Sequence, residues 1–273
     1  MAKIDRLGWA DGMSFISYGV RVGVRVNDAS ILKDVIARLP PGSKPATLKV
    51  VDQLYSVIGG SANPNAKVRR LNLAYWNLLR IARSRNFDEV LEALESHVQL
   101  TVAEYAPRRI FVHAGVVGWK DRAILIPGMS HSGKTTLVDR LIRAGATYYS
   151  DEYAVLDERG RVHPYPRALG MRFPNSFESK KVRAEDIGAA VGSKPLRVGL
   201  VVSTNFKDGA RWRPRPLSLG KGVLELMANT VSARSQPELA LTVLPKALEV
   251  AQILKGVRGE ATEIVESILE RVA

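Results

Sequence analysis

The stretch that most constrains this chain is GMSHSGKT, Gly128 to Thr135, set between the apolar run AILIP and the amphipathic run LVDRLIRAG. A short β-branched run reads as a buried strand, and the pattern after the loop reads as a helix closed by Gly145. RRIFVHAGVV before this segment and ATYYSDEYAVLD after it also read as strands. Strand, glycine-containing loop, helix and strand make a βαβ unit, which predicts two parallel strands in one sheet. The spacing Gly128-x-x-x-x-Gly133-Lys134-Thr135 meets every fixed position of a phosphate-binding loop. In such a loop the glycines let backbone N–H groups wrap an anion, and the following helix points its positive end at the same charge. Lys134 would reach the terminal phosphates, and the Thr135 hydroxyl would serve Mg²⁺. The candidate nucleotide-binding residues are Gly128, Ser130, His131, Ser132, Gly133, Lys134, Thr135 and Thr136.

A phosphate site becomes a reaction only with further groups, and Asp151 and Glu152 stand where the next strand should end, at the edge that carries the loop. Adjacent strand residues point to opposite faces unless a turn intervenes, so one carboxylate is expected to face an acceptor and the other a metal. Thr135 and Glu152 are the expected metal ligands. Arg167 and Arg172, in HPYPRALGMR, are candidates for stabilising charge on a transferred phosphate.

Composition narrows the setting. With 273 residues, 46% of them hydrophobic and 25% charged, the chain can bury a sizeable core. It has no cysteine, which rules out disulfides, thiolate metal sites and thiol nucleophiles. No stretch reaches the roughly 18 apolar residues of a membrane span and the N-terminus lacks a signal-peptide core, so a cytoplasmic protein without a membrane partner is expected. The net charge of +13 favours anionic partners, nucleotide, acidic peptide or nucleic acid among them.

Before Tyr105 the patterns are less specific. FISYGVRVGVRVND alternates with period 2, as a half-buried strand or bent hairpin would. Ser30 is expected to cap a short helix, ILKDVIARL, stopped by Pro40 and Pro41. TLKVVDQLYSVIGG reads as a strand pair. From Lys67 to about Tyr105 the apolar spacing of Leu71, Leu78, Ile81, Ala82, Val90, Leu91 and Leu94 predicts two helices broken near Asn86. Lys67, Arg69, Arg70, Arg80, Arg83 and Arg85 gather around Tyr75 and Trp76 there, as a solvated basic face or a surface for nucleic acid or an acidic partner. Later, LRVGLVVSTNF reads as another buried strand and LGKGVLELMANT as a helix.

The stretch from Val112 to Arg172, with its histidine-containing strand, loop, helix ending in Gly and SDEYAVLD run, resembles the kinase domain of HPr kinase/phosphorylase and the HPr-kinase-like proteins of bacterial peptide-modification gene clusters. The resemblance is good over 111–172, extends to ANTVSAR near the C-terminus and is weak before Tyr105. It implies an α/β kinase fold like that of PEP carboxykinase. It also implies that His113 sits near Asp151, which would favour the charged imidazolium, that Asp151 is the catalytic acid/base, and that Glu152 replaces a second aspartate. With Lys134, these make the catalytic set His113, Lys134 and Asp151.

The expectation is then an α/β protein with an N-terminal α+β region over 1–105, for substrate or partner binding, and an HPr-kinase-like nucleotide-binding domain over 106–273. The expected function is ATP- and Mg²⁺-dependent phosphorylation of a hydroxyl on a peptide, protein or small molecule, serine foremost. A nucleic-acid-associated NTPase or kinase and a non-catalytic nucleotide-binding regulator are the alternatives. A homo-oligomer is compatible with all three.

Overall fold

The computed structural model describes residues 3–60, 71–128, 132–172 and 179–272. It is a mixed α/β protein with more than one sheet, and its internal contacts divide it into two compact units, 1–107 and 108–273. Among the described residues no helix is long and apolar enough to cross a membrane.

In the first unit, β1 (Asp11–Ser17) and β2 (Val20–Val26) form a hairpin turning at Tyr18 and Gly19, which settles the two readings of that alternating run. Val20, Val22, Val24 and Val26 are buried, and Arg21 between them is exposed. A short 3-10 turn, capped by Asp28, whose carboxylate accepts from Ser30 N, then leads into α1 (Leu32–Ile36), so Ser30 is not the cap. After β3 (Lys44–Pro45), the expected strand pair is a single strand, β4 (Gln53–Ile58).

The first of the two expected helices beyond Lys67 is a β-hairpin in its described part, β5 (Asn72–Trp76) and β6 (Leu79–Ser84). Buried Asn72 and Ala74 alternate with partly exposed Leu73 and Tyr75, and Asn77 turns the chain at φ 50°. Leu78, which supported the helical spacing, is exposed at the hairpin tip, as is Leu79 beside it. The second helix is present as α2 (Phe87–Tyr105), capped by Asn86 and burying Val90, Leu94, Val98 and Val102 at intervals of four. The strand order is β3-β1-β2-β4-β5-β6, and α2 packs on β5 and β6.

The second unit begins with β7 (Ile110–Trp119), β8 (Arg122–Pro127), α3 (Lys134–Arg143), β9 (Thr147–Ser150), β10 (Tyr153–Leu156) and β11 (Arg161–His163). A small separate hairpin follows, β12 (Leu169–Arg172) with β13 (Ser179–Val182). The chain continues through β14 (Leu196–Phe206), β15 (Arg215–Pro216), α4 (Leu219–Met227), α5 (Pro237–Leu248), β16 (Gln252–Arg258) and α6 (Val265–Leu269). Among the described residues its main sheet has eight strands in the order β11-β10-β7-β8-β14-β16-β15, with β9 beside β7.

Both faces of this sheet are buried, which is why AILIP carries no polar alternation. Ile124 and Ile126 face α3 with Val117, Leu200, Val202 and Leu254, whereas Ala123 and Leu125 face α5 with Val116 and Val198. Helix α3 lies so close to β7 that a Cβ on Gly115 would come within 2.5 Å of Val138 Cγ2. Strands β8 and β9 both run antiparallel to β7 on its two sides, so they share a direction, as a crossover requires, with β7 between them. Strands β8, β14 and β16 are parallel. Their carboxyl ends, Pro127, Phe206 and Arg258, therefore come to one edge, where the loop before α3 also begins.

Candidate functional site

At that edge the loop leaves β8 beside β7, and Gly128 N donates to the carbonyl of His113 at 3.1 Å. Ser130 and His131 lie outside the described residues. Gly133 is the N-cap of α3 at φ 82°, a left-handed conformation in which a side chain would be strained. The N-cap itself, a glycine, contributes no side-chain hydrogen bond to the helix, whose positive end faces this edge. Among the described residues Ser132 Oγ is buried without a hydrogen-bond partner. Lys134 folds back so that Nζ donates to Gly128 O at 2.6 Å, and burial lowers its pKa while Glu152 and Asp151 hold it up. Thr135 is partly buried, and Thr136, next on the helix, is exposed.

The two carboxylates sit in an interruption between β9 and β10, two consecutive segments along one side of β7. Val117 pairs with Tyr148 and Val116 with Ser150, so Tyr149 is an extra residue, a bulge. Ser150 Oγ then accepts from the N–H groups of Glu152 and Tyr153, which turns the chain. The adjacent side chains consequently separate. Asp151 Oδ2 accepts from Thr135 Oγ1 at 3.4 Å and Oδ1 from the Tyr148 hydroxyl at 3.0 Å. Glu152 instead lies 3.7 Å from His113 Nδ1 and 3.9 Å from Arg167 Nη1.

Burial raises the pKa of Asp151, with Glu152 adding to the effect and the Tyr148 hydrogen bond and Arg167 opposing it. The same low-dielectric surroundings push Tyr148 far above its ordinary range.

His113 differs from expectation in two ways. The carboxylate beside its ring is that of Glu152, because the turn at Ser150 brings that side chain to β7 and sends Asp151 toward α3. Its pKa is lowered, first by burial and then by the Lys134 charge, so the neutral ring is favoured and not the imidazolium. The ring packs 4.8 Å from that of Tyr153, its cross-strand neighbour. Behind it, His113 N donates to Asn229 O at 2.7 Å and Val112 bridges Thr230, so the ANTVSAR segment runs alongside β7.

Arg167 is tied in by its carbonyl, which also accepts from Tyr148 OH at 2.9 Å. Arg172 is placed by its backbone alone, at the end of β12, opposite Ser179.

Two residues at this edge were not singled out in the sequence. Tyr148 reaches Asp151 only because of the bulge that follows it. Arg258 closes β16 on the far side of the loop, its Nη2 donating to Gly133 O at 3.0 Å and its Nη1 to Gly259 O at 3.0 Å. A strand-terminal arginine before glycine gives no local signal, and only the parallel order of β8, β14 and β16 brings it to the loop.

No family model matches the chain, and no curated protein matches it. Among solved structures, the Hpr(Ser) kinase/phosphatase from Coxiella burnetii is similar to 59% of this chain over 93% of its own, at 14% identity and a TM-score of 0.34. The functional reading rests on the geometry of the site.

Proposed function

We propose that the protein is an ATP- and Mg²⁺-dependent phosphotransferase whose acceptor is a hydroxyl, serine of a peptide or protein foremost. The observation that carries this reading is the convergence, at one sheet edge, of the glycine-capped N-terminus of α3, Lys134, the orphaned Ser132 hydroxyl and a part-buried carboxylate 3.4 Å from Thr135. An unpaired buried hydroxyl costs free energy unless a ligand completes it, and a phosphate group fits this set of donors. Lys134 and the N–H groups of the first turn would hold the phosphates, and Thr135 with a carboxylate would hold the cation. Bound Mg²⁺ would neutralise charge on the phosphate oxygens.

Within this reading Asp151 is the proton acceptor, since burial raises its affinity for a proton. Arg167, beside Glu152, supplies positive charge to the acceptor side. A second reading exchanges the carboxylates. Because Thr135 meets Asp151 and not Glu152, Asp151 would face the cation, and Glu152 with neutral His113 would receive the hydroxyl proton. Metal titration separates the two readings, since the variant that loses the cation ligand needs more Mg²⁺ at half-maximal rate.

The test is incubation with γ-labelled ATP and serine-containing peptides, read by mass spectrometry, for wild type and Lys134→Ala. Phosphopeptide from wild type alone is the expected result. Equal product from both proteins would remove the loop from the reaction.

A further inference from the structure

We infer that Arg258 is an anion-contacting residue of the loop. This inference rests on the phosphate-binding reading above and extends it to a residue on β16 that lies outside the loop motif. Arg258 is 2% exposed, and its guanidinium reaches the first residue of the α3 cap, where Nη2 donates to Gly133 O. That is the positive end of the helix, where a cation is disfavoured.

Among the described residues the Arg258 side chain forms no ion pair with a carboxylate. Its Nε–H is buried without a partner. A buried guanidinium held against a helix N-terminus with one donor unsatisfied is costly as it stands, and an anion that accepts from Nε and faces the helix removes both penalties.

A third buried group points the same way. Thr204 Oγ1 is also without a partner, and Thr204 pairs with Gly256 two places before Phe206 pairs with Arg258. Val202 and Leu254, the pair two places earlier still, face α3, so by strand alternation Thr204 and Arg258 face α3 as well. Ser132, Thr204 and Arg258 therefore present orphaned polar atoms at the same end and on the same face of the sheet. The ligand chemistry this selects is a polyphosphate group, with two hydroxyls and a guanidinium N–H as donors.

The experiment measures binding and stability, not turnover. Wild type, Lys134→Ala, Arg258→Lys and Arg258→Met are titrated with inorganic triphosphate by calorimetry, and each is melted with and without it. Wild type should bind and gain melting temperature. Arg258→Lys, which keeps the charge but has no Nε–H, and Arg258→Met should each weaken binding roughly tenfold to a hundredfold, the scale of one hydrogen bond to a charged group. Wild type that does not bind would overturn the reading of the loop together with this inference. Wild-type binding that Lys134→Ala abolishes and both Arg258 variants keep would overturn the inference alone.

If neither variant folds, ¹⁵N-arginine spectra of wild type decide. The slowly exchanging Nε–H resonance of the buried guanidinium shifts on adding triphosphate if it contacts the anion, and an unmoved resonance makes Arg258 a purely structural clamp.

Discussion

In the N-terminal unit, the Tyr55 hydroxyl lies 2.8 Å from Thr101 Oγ1 and 2.9 Å from His97 Nδ1, and Thr101 and His97 lie 3.2 Å apart, a buried polar triangle closed on itself. In the C-terminal unit, Ser132, Thr204 and Arg258 carry the same kind of buried polar atoms and end at a sheet edge with nothing to bond. Orphans in the first unit are Trp9 Nε1 and Ser17 Oγ, beside opposite ends of β1. Both units follow the rule that buried polar groups need partners. The Tyr55 triangle satisfies it within the fold, and the second unit brings three of its exceptions to one edge, although Trp119 Nε1, Trp212 Nε1 and Ser232 Oγ are orphaned in it too. The contrast separates residues that hold the protein together from residues that wait for a ligand.

The largest effect should come from the open edge. Asp151→Asn is expected to bind nucleotide as wild type does and to lose phosphotransfer by about two to four orders of magnitude, the usual scale for a general base. Unchanged turnover in single-turnover assays would take Asp151 out of the chemistry.

The converse belongs to the closed unit. Leu94, 2% exposed on the buried face of α2, leaves a cavity when cut to alanine, and Leu94→Ala should cost about 2 to 5 kcal/mol in denaturant unfolding. Its triphosphate affinity per folded molecule should stay within about twofold of wild type, because each unit has its own internal contacts. A larger loss of affinity would break the division of labour.

A smaller effect is expected at the junction of holding and reacting. Tyr148→Phe removes the hydroxyl that fixes Asp151, and turnover should fall about tenfold at unchanged nucleotide affinity, the worth of one hydrogen bond to a charged group. Equal losses of affinity and rate would make Tyr148 a structural residue only.

The smallest effect concerns a closed cluster inside the second unit. Burial alone would raise the pKa of Asp157, but hydrogen bonds from His163, from the N–H groups of Arg161 and Arg159 and from the Arg161 guanidinium bring it down to about 2. A carboxylate depressed in the folded state stabilises the protein above its unfolded pKa of about 4, and that contribution is lost as pH falls through about 2. Asp157→Asn should lower stability by about 1 kcal/mol at neutral pH and flatten the acid limb of the unfolding curve between those values. An acid limb as steep as that of wild type would place the titration elsewhere.

Local rules made the second unit more legible than the first. The loop spacing, the AILIP strand and the Asp151–Glu152 pair each depend on neighbours a few residues away, and they meet at one edge in the fold. The stretch from Leu71 to Ser84 misled because Leu71, Leu78, Ile81 and Ala82 satisfy a helical period by accident. The cue that outweighs it is Asn77, which tolerates the left-handed turn of a hairpin.

That Glu152 comes beside His113 was not legible because one hydroxyl, Ser150, turns the chain between two carboxylates, and strand periodicity does not report a turn of that kind. Arg258 was invisible for a topological reason. Its distance from Gly133 is set by the order of three parallel strands and not by any spacing along the chain.

The bulge at Tyr149 acts as a phase shift. A strand is a two-beat pattern, and in an uninterrupted run Tyr148 and Asp151, three places apart, would fall on opposite beats and opposite faces. One inserted residue slips the phase, so the tyrosine three places ahead lands beneath the carboxylate and bonds it. The site thus depends on a count as well as on the identity of its residues. Taking Tyr149 into regular register with β7 would leave every polar group at this edge in the chain and still send Tyr148 and Asp151 to opposite sides of the sheet.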